Sequence, residues 1–254
     1  MQRIAHRLTH RGVRVFRMDM RGCGAGATLA SRTVHAGRTD DLLAVIHFVR
    51  QQFTIDQLTL VGFSLGASIS LMLASRELSS AGENSIDKLM AISPPIDLEY
   101  CCSNLSHGLN AFYDRYFVRR LVKSVRQSPN LIDANRCLSQ SPTPKSLREF
   151  DSRVTAPLGG FESVEQYYAL CSPKPLLDRI TIPTLIITSS DDPIVPIKMF
   201  DQLDLAGRNV HIEVTRGGGH LGFLASRNVD PDWHWIDWRV VDFITKDQGG
   251  TPNT

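Results

Sequence analysis

No apolar run in the 254-residue chain approaches the ~20 residues that a membrane-spanning helix needs. There is no C-x-x-C pair, and the five cysteines (Cys23, Cys101, Cys102, Cys137 and Cys171) are odd in number. That pattern argues against a disulfide framework or a structural zinc site and points to a reducing, cytoplasmic compartment. An excess of one charge is also missing: 28 Lys and Arg face 26 Asp and Glu, for a formal charge of +2. With no basic block, nucleic-acid binding has no compositional support. The opening "MQRIAHRLTHRGVRVFRMDM" lacks the continuous apolar core of a signal peptide and is not expected to act as one. Internal repeats are absent, and low complexity is confined to the polar tail "KDQGGTPNT", which is expected to fray.

What is there reads as one large globular domain with a substantial core, 42% apolar and 21% charged. A short helix around Ile4 and Leu8 is stopped by Gly12. Val13–Met20, partly alternating and rich in β-branched and aromatic residues, predicts a strand. Arg21–Gly37 is a glycine-rich connection, and the apolar spacing from Asp40 to Phe53 is helical. Strands are predicted at Leu58–Gly62, Lys88–Ile92, Ile182–Ser190 and within Asn209–His220, with helices at Ala67–Arg76 and about Trp235–Thr245. Strands alternating with helices predict an α/β fold, a mostly parallel sheet covered on both faces. Residues 97–175 break the alternation with helix-like runs. They are expected to form a helical cap inserted over the carboxyl edge of the sheet, where open α/β sheets place their ligands. The division expected is therefore 1–96 and 176–246 as the two parts of the core, 97–175 as the cap and 247–254 as a flexible tail.

The chemistry starts at Gly62-Phe63-Ser64-Leu65-Gly66. A G-x-S-x-G match is weak by itself, but this one lies between a predicted strand and a predicted helix. A strand-to-helix turn that sharp asks for very small residues on either side of the serine. It would expose the Ser64 hydroxyl and set the Leu65 N–H at a helix N-terminus, where unpaired amides favour a developing oxyanion. A neutral serine needs a base, and the base needs an acid to hold it. Asp191 and Asp192 directly follow one predicted strand, and His220 in "GGGHLGF" follows the next, so acid and histidine occur in the required order. Of the two acids Asp192 is favoured, because it opens a "P-I-V-P" turn; Asp191 stays open as the alternative, with a role in capping or turning as its plainer reading.

Six stretches together make the chain resemble the α/β-hydrolases, specifically the YheT-like branch related to ABHD-type esterases and lipases. They are "DMRGCG" (Asp19–Gly24), "GFSLGAS" (Gly62–Ser68), "YDRYFVRRL" (Tyr113–Leu121), "FDSRVTAPLGGFESVEQYY" (Phe150–Tyr168), "DDPIVP" (Asp191–Pro196) and "GGGHLGF" (Gly217–Phe223). The resemblance implies a Ser64–Asp192–His220 triad acting on carboxylic esters, with medium-chain or lipid acyl substrates and no cofactor. Members of that family begin with further strands and a His-Gly loop that supplies a second oxyanion donor. The present sequence starts at the helix after that loop. The expectation is therefore a sheet without its N-terminal strands, one of them between 13–20 and 58–64, and a weakened activity. A pseudohydrolase that binds a lipid or a partner, and an acyltransferase on the same triad, are the alternative functions.

Other signals are weaker. "HAGRTD" (His35–Asp40) fits an H-x-x-x-x-D pattern found in lipid acyltransferases, but Asp40 reads more simply as the opening of the following helix. Cys101-Cys102 reads as a buried pair, with metal or palmitate as the sharper alternatives. "YDRYFVRRLVKSVR" is basic and amphipathic, a pattern shared by solvated helix faces and by helices that touch a membrane surface.

Overall fold

The computed structural model describes residues 1–76, 86–205, 208–226 and 229–246; the tail expected to fray, 247–254, lies outside them. Four parallel strands form one sheet in the order β1 (Thr59–Phe63), β2 (Lys88–Ile92), β3 (Thr184–Ser189), β4 (Val210–Thr215). Phe63 pairs with Ile92, Ile92 with Ile187, and Ser189 with Thr215. The strand ends carrying Ser64, Asp192 and His220 therefore share one edge of the sheet.

The two central strands explain their own composition. β2 is buried along its whole length and β3 along nearly all of it, as strands covered on both faces must be. Successive residues point to opposite faces. Leu89, Ala91 and Ile186 join a core with Ile46 of helix α2 (Asp40–Gln52) and Leu71 of α3 (Leu65–Arg76). Met90, Ile92 and Ile187 join a second core with Ile4 and Leu8 of α1 (Gln2–Thr9) and Val240 of the C-terminal helix (Trp235–Thr245). On that face Arg3 and Arg7 of α1 reach the buried Asp237, which ties the first helix to the last.

One predicted strand is corrected. Val13–Met20 is not part of the sheet: among the described residues β1 pairs only with β2, and residues 13–20 form no ladder. An apolar trough of about 550 Å³, lined by Val13, Val15, Leu60, Val61 and Ile69 among others, separates this segment from the outer edge of β1. Alternating, β-branched composition suits an extended backbone, but a ladder also needs a neighbour about 4.8 Å away. Among the described residues that neighbour is lacking.

Between β2 and β3 the described chain is helical: α4 (Leu98–Leu105), α5 (Ala111–Gln127), α6 (Ile132–Ser139), α7 (Leu147–Phe150), a π-turn at Asp151–Thr155, α8 (Ala156–Gly159) and α9 (Val164–Cys171). Side chains of Asp97, Ser146 and Ser163 cap α4, α7 and α9 by accepting from the backbone N–H groups of Tyr100, Glu149 and Gln166, in keeping with the preference for such residues at helix starts. The final helix, Trp235–Thr245, is α10.

Candidate active site

The turn at the end of β1 is built by close backbone approach. Ser64 has φ 50°, a left-handed conformation that a side chain adopts at a cost of roughly 1–2 kcal/mol. Three bonds hold it there: its N–H donates to the carbonyl of Ile92 (2.8 Å), and its own carbonyl accepts from the N–H of Ala67 (2.9 Å) and Ser68 (3.2 Å). Gly62 is required by space, since a Cβ there would lie 2.5 Å from Ala67 Cα. Gly66 is not. A Cβ at Gly66 would meet nothing within 4 Å, because the residue borders the trough beside β1. The expectation that both flanking glycines answer to crowding therefore holds for Gly62 and is corrected for Gly66. α3 begins at Leu65, two residues before its predicted start, so the serine stands directly at the head of the helix.

The side chains of Ser64, His220 and Asp192 form a hydrogen-bonded series at that turn. His220 Nε2 lies 2.8 Å from Ser64 Oγ, and His220 Nδ1 lies 2.9 Å from Asp192 Oδ2. The Asp192 side chain is fully buried, and its other oxygen accepts from the N–H groups of Ile194 (2.8 Å) and Val195 (2.9 Å). Both carboxylate oxygens are thus occupied. The carboxylate folds back over the two amides that follow it, the habit of aspartate at the head of a turn.

Asp191 has a different job. Its exposed carboxylate accepts from the Ser189 hydroxyl and from the Gly219 N–H (2.8 Å), and these bonds, the serine's first, hold its pKa below the ordinary value. It thereby fixes the backbone immediately before His220. That loop needs unusual conformations: Gly218 has φ 148° and Gly219 φ 52°. A Cβ on Gly218 would also collide with the Phe223 ring at 2.5 Å. β4 ends at Thr215, earlier than predicted, and leaves residues 216–219 free to make this turn. The Asp-Asp pair was visible in the sequence, but the buttressing role of Asp191 was not, because it acts through a backbone N–H 28 positions away.

Leu65 contributes at both ends. Its N–H opens α3, beside Ser64, at the positive end of the helix dipole. Its side chain packs against an apolar cluster that includes Ala36, Leu98, Cys102, Tyr167 and Tyr168 and joins the turn to α4 and α9.

The remaining sequence signals are absorbed structurally. His35 is buried, edge-on to Phe161 and Tyr167, and its Nδ1 accepts from the Gly37 N–H (3.2 Å). Burial, first, then the Arg38 guanidinium push its pKa down to about 4. Asp40 opens α2 and pairs with Arg38. Cys101 and Cys102 are both free and buried, and burial pushes the Cys102 thiol up to about 11. Among the described residues no cluster of ligating side chains could hold a metal ion, and no helix is long and apolar enough to cross a membrane.

Chemically, a hydroxyl, an imidazole and a buried carboxylate in hydrogen-bonded series can pass a proton from the serine to the imidazole while the carboxylate balances the new charge. Known proteins resemble the chain along almost its whole length. It is 29% identical to the YheT protein of Escherichia coli (strain K12) over 232 residues, 90% of this chain and 66% of that one. It is 30% identical to the phospholipase ABHD3 of Mus musculus over 222 residues, 84% of this chain and 52% of that one. It is 26% identical to the monoacylglycerol lipase of Saccharomyces cerevisiae over 219 residues, 83% of this chain and 48% of that one. The chain thus spans about half to two thirds of the length of these curated relatives. The model of the alpha/beta hydrolase fold matches residues 2–226, and with the parallel sheet and the serine turn it places the chain in that family: it is a member of the alpha/beta hydrolases.

Proposed function

We propose that the chain is a serine hydrolase of carboxylic esters, with medium- or long-chain acyl or lipid esters as substrates. The observation that carries this reading is the unbroken series Ser64 Oγ, His220 Nε2, His220 Nδ1, Asp192 Oδ2, with contacts of 2.8 and 2.9 Å. Ser64 Oγ attacks the ester carbonyl as its proton moves to His220 Nε2. Asp192 orients the ring and stabilises the imidazolium, and the Leu65 N–H donates to the oxyanion. Collapse of the tetrahedral intermediate expels the alcohol, which takes the proton from His220. Water then enters, gives its proton to the same nitrogen, and releases the acid and the free serine.

Two considerations support the substrate class, and a third bears on the compartment. The helices between β2 and β3, which we take as a cap, bring an apolar cluster against Leu65. The chain resembles proteins named phospholipase and monoacylglycerol lipase. The free cysteines favour a reducing, cytoplasmic setting.

A fluorophosphonate probe tests the activated serine, and hydrolysis of p-nitrophenyl butyrate and octanoate tests the reaction. Labelling and turnover should both be lost in Ser64→Ala. An unlabelled wild-type protein that still binds fatty acid would instead make the chain a binding protein, and ester formation with an added alcohol in preference to hydrolysis would make it an acyltransferase.

A further inference from the structure

Helix α5 has one buried side and one outer side, and the outer side is unusual. Val118, Val122 and Val125 point inward against Leu131, Leu138, Phe150 and Val154. The helix's one carboxylate, Asp114, is also turned inward and accepts from the Leu147 N–H. At helical spacing the outward stripe then reads Phe112, Tyr116, Arg119, Lys123, with Tyr113, Arg115 and Arg120 flanking it. Phe112 is 68% exposed and Tyr116 57%; Leu109, in the turn before the helix, is 82% exposed. The cations are as unpaired as the aromatics are uncovered: among the described residues, Arg115, Arg119, Arg120 and Lys123 form no ion pair.

A merely solvated helix face mixes charges of both signs and keeps large apolar groups inside. This one carries no exposed acid. It separates an apolar, aromatic start from a cationic end. A concave groove for a peptide is not needed to explain it, and nucleic acid would use the arginines but leave Leu109 and Phe112 in water. An interface between anionic head groups and acyl chains uses both. The rings and Leu109 enter the acyl boundary, the tyrosine hydroxyls stay at head-group level, and the arginines and lysine meet the phosphates.

We propose that α5 and the turn before it form a docking surface for an anionic lipid bilayer, with Leu109, Phe112 and Tyr116 as the inserting groups and Arg115, Arg119, Arg120 and Lys123 as the electrostatic ones. Docking is independent of the hydrolase reading, since it involves none of the groups around Ser64; Ser64→Ala should bind lipid as well as wild type does.

The experiment is co-sedimentation of the full chain with vesicles of phosphatidylcholine, with and without phosphatidylserine. Binding should be confined to the anionic vesicles and should weaken as salt is raised. The double variant Arg119→Glu/Arg120→Glu should lose at least about tenfold in apparent affinity. Phe112→Ser/Tyr116→Ser should weaken binding to anionic vesicles while leaving its salt dependence in place. Both sets of substitutions lie on the exposed face, and an unchanged melting curve checks that the fold survives. Should either double variant melt early, the salt series on the wild-type chain and the other variant still decide. Failure to pellet with anionic vesicles, equal pelleting with both vesicle types, or wild-type pelleting of the folded charge-reversed variant would each overturn the proposal. The first of these outcomes would leave an acidic protein surface as the partner to seek.

Discussion

The carboxyl edge of the sheet and the helical stretch between β2 and β3 each bury an aspartate, and they treat it in opposite ways. Asp192, at the sheet edge, is met by two backbone N–H groups and by an imidazole that becomes cationic when it takes a proton. Asp151, in the π-turn, is met by two hydroxyls, from Thr155 (2.7 Å) and Tyr168 (2.9 Å). Burial, only partly offset by those hydroxyls and reinforced by the nearby Asp114, pushes its pKa up to about 6. A backbone amide N–H can only donate, whereas a hydroxyl can donate or accept. The sheet edge thus surrounds its buried carboxylate with backbone amides and an imidazole, and the helical stretch surrounds its own with hydroxyls.

The largest effect should come from the sheet edge. Asp192→Asn leaves the imidazole without a carboxylate, and kcat should fall by about 10³- to 10⁴-fold, while Ser64→Ala abolishes labelling. Asp191→Asn should cost about tenfold or less in kcat/KM, because it loosens a loop without touching the imidazole. Equal losses in the two aspartate variants, read from ester hydrolysis rates, would erase the distinction between reacting and buttressing carboxylates.

A smaller effect belongs to the helical stretch. With a folded pKa of about 6 against 3.8 for the ordinary group, Asp151 favours the folded state most fully below about pH 4, and that contribution is lost as pH rises through about 6. Its size is roughly 2–3 kcal/mol. His35 acts in the other direction: its pKa falls to about 4, so the unfolded chain takes up its proton first and stability declines as pH drops below about 6.5. In Asp151→Asn the opposing slope of His35 should be uncovered, and urea midpoints should rise with pH between about 4 and 7. A profile parallel to wild type would show that Asp151 does not titrate in this range.

The turn itself gives the finest contrast. Gly62→Ala drives a Cβ into backbone that no rotamer change can relieve, so it should destabilise the chain by about 1–3 kcal/mol or prevent folding. Gly66→Ala adds a Cβ to open space in the first turn of α3 and should stabilise by about 0.4–1 kcal/mol. Thermal melts of the two variants check the pair, and a Gly66→Ala chain that melts as early as Gly62→Ala would restore the symmetric reading of the motif.

Much of the fold was legible because its strands are locally self-consistent. Lys88–Ile92 and Trp235–Thr245 have the bounds their patterns predicted, since a continuous apolar run and a helical stripe each lead to one way of being buried. Val13–Met20 carries the same kind of local signal and is no strand, because pairing is a property of two segments. At the site, the order of serine, acid and histidine could be read from spacing alone. Of the two adjacent aspartates the sequence favoured Asp192 for its P-I-V-P turn but left Asp191 open, because neighbouring side chains differ in direction, and direction depends on the turn that Ile194 and Val195 complete.

By itself, then, the sequence determined the alternation of strand and helix, the serine turn and the presence of its partners downstream, because periodicity, small residues and strand-end positions are local quantities. The tertiary structure alone decided that Asp192 binds His220 while Asp191 binds Gly219, that Gly62 is crowded while Gly66 is not, and that the carboxylate of α5 is turned inward while Arg115, Arg119, Arg120 and Lys123 stand on the exposed side. Each of these depends on which atoms from distant segments come within a few ångströms of one another, and only the folded chain brings those atoms together.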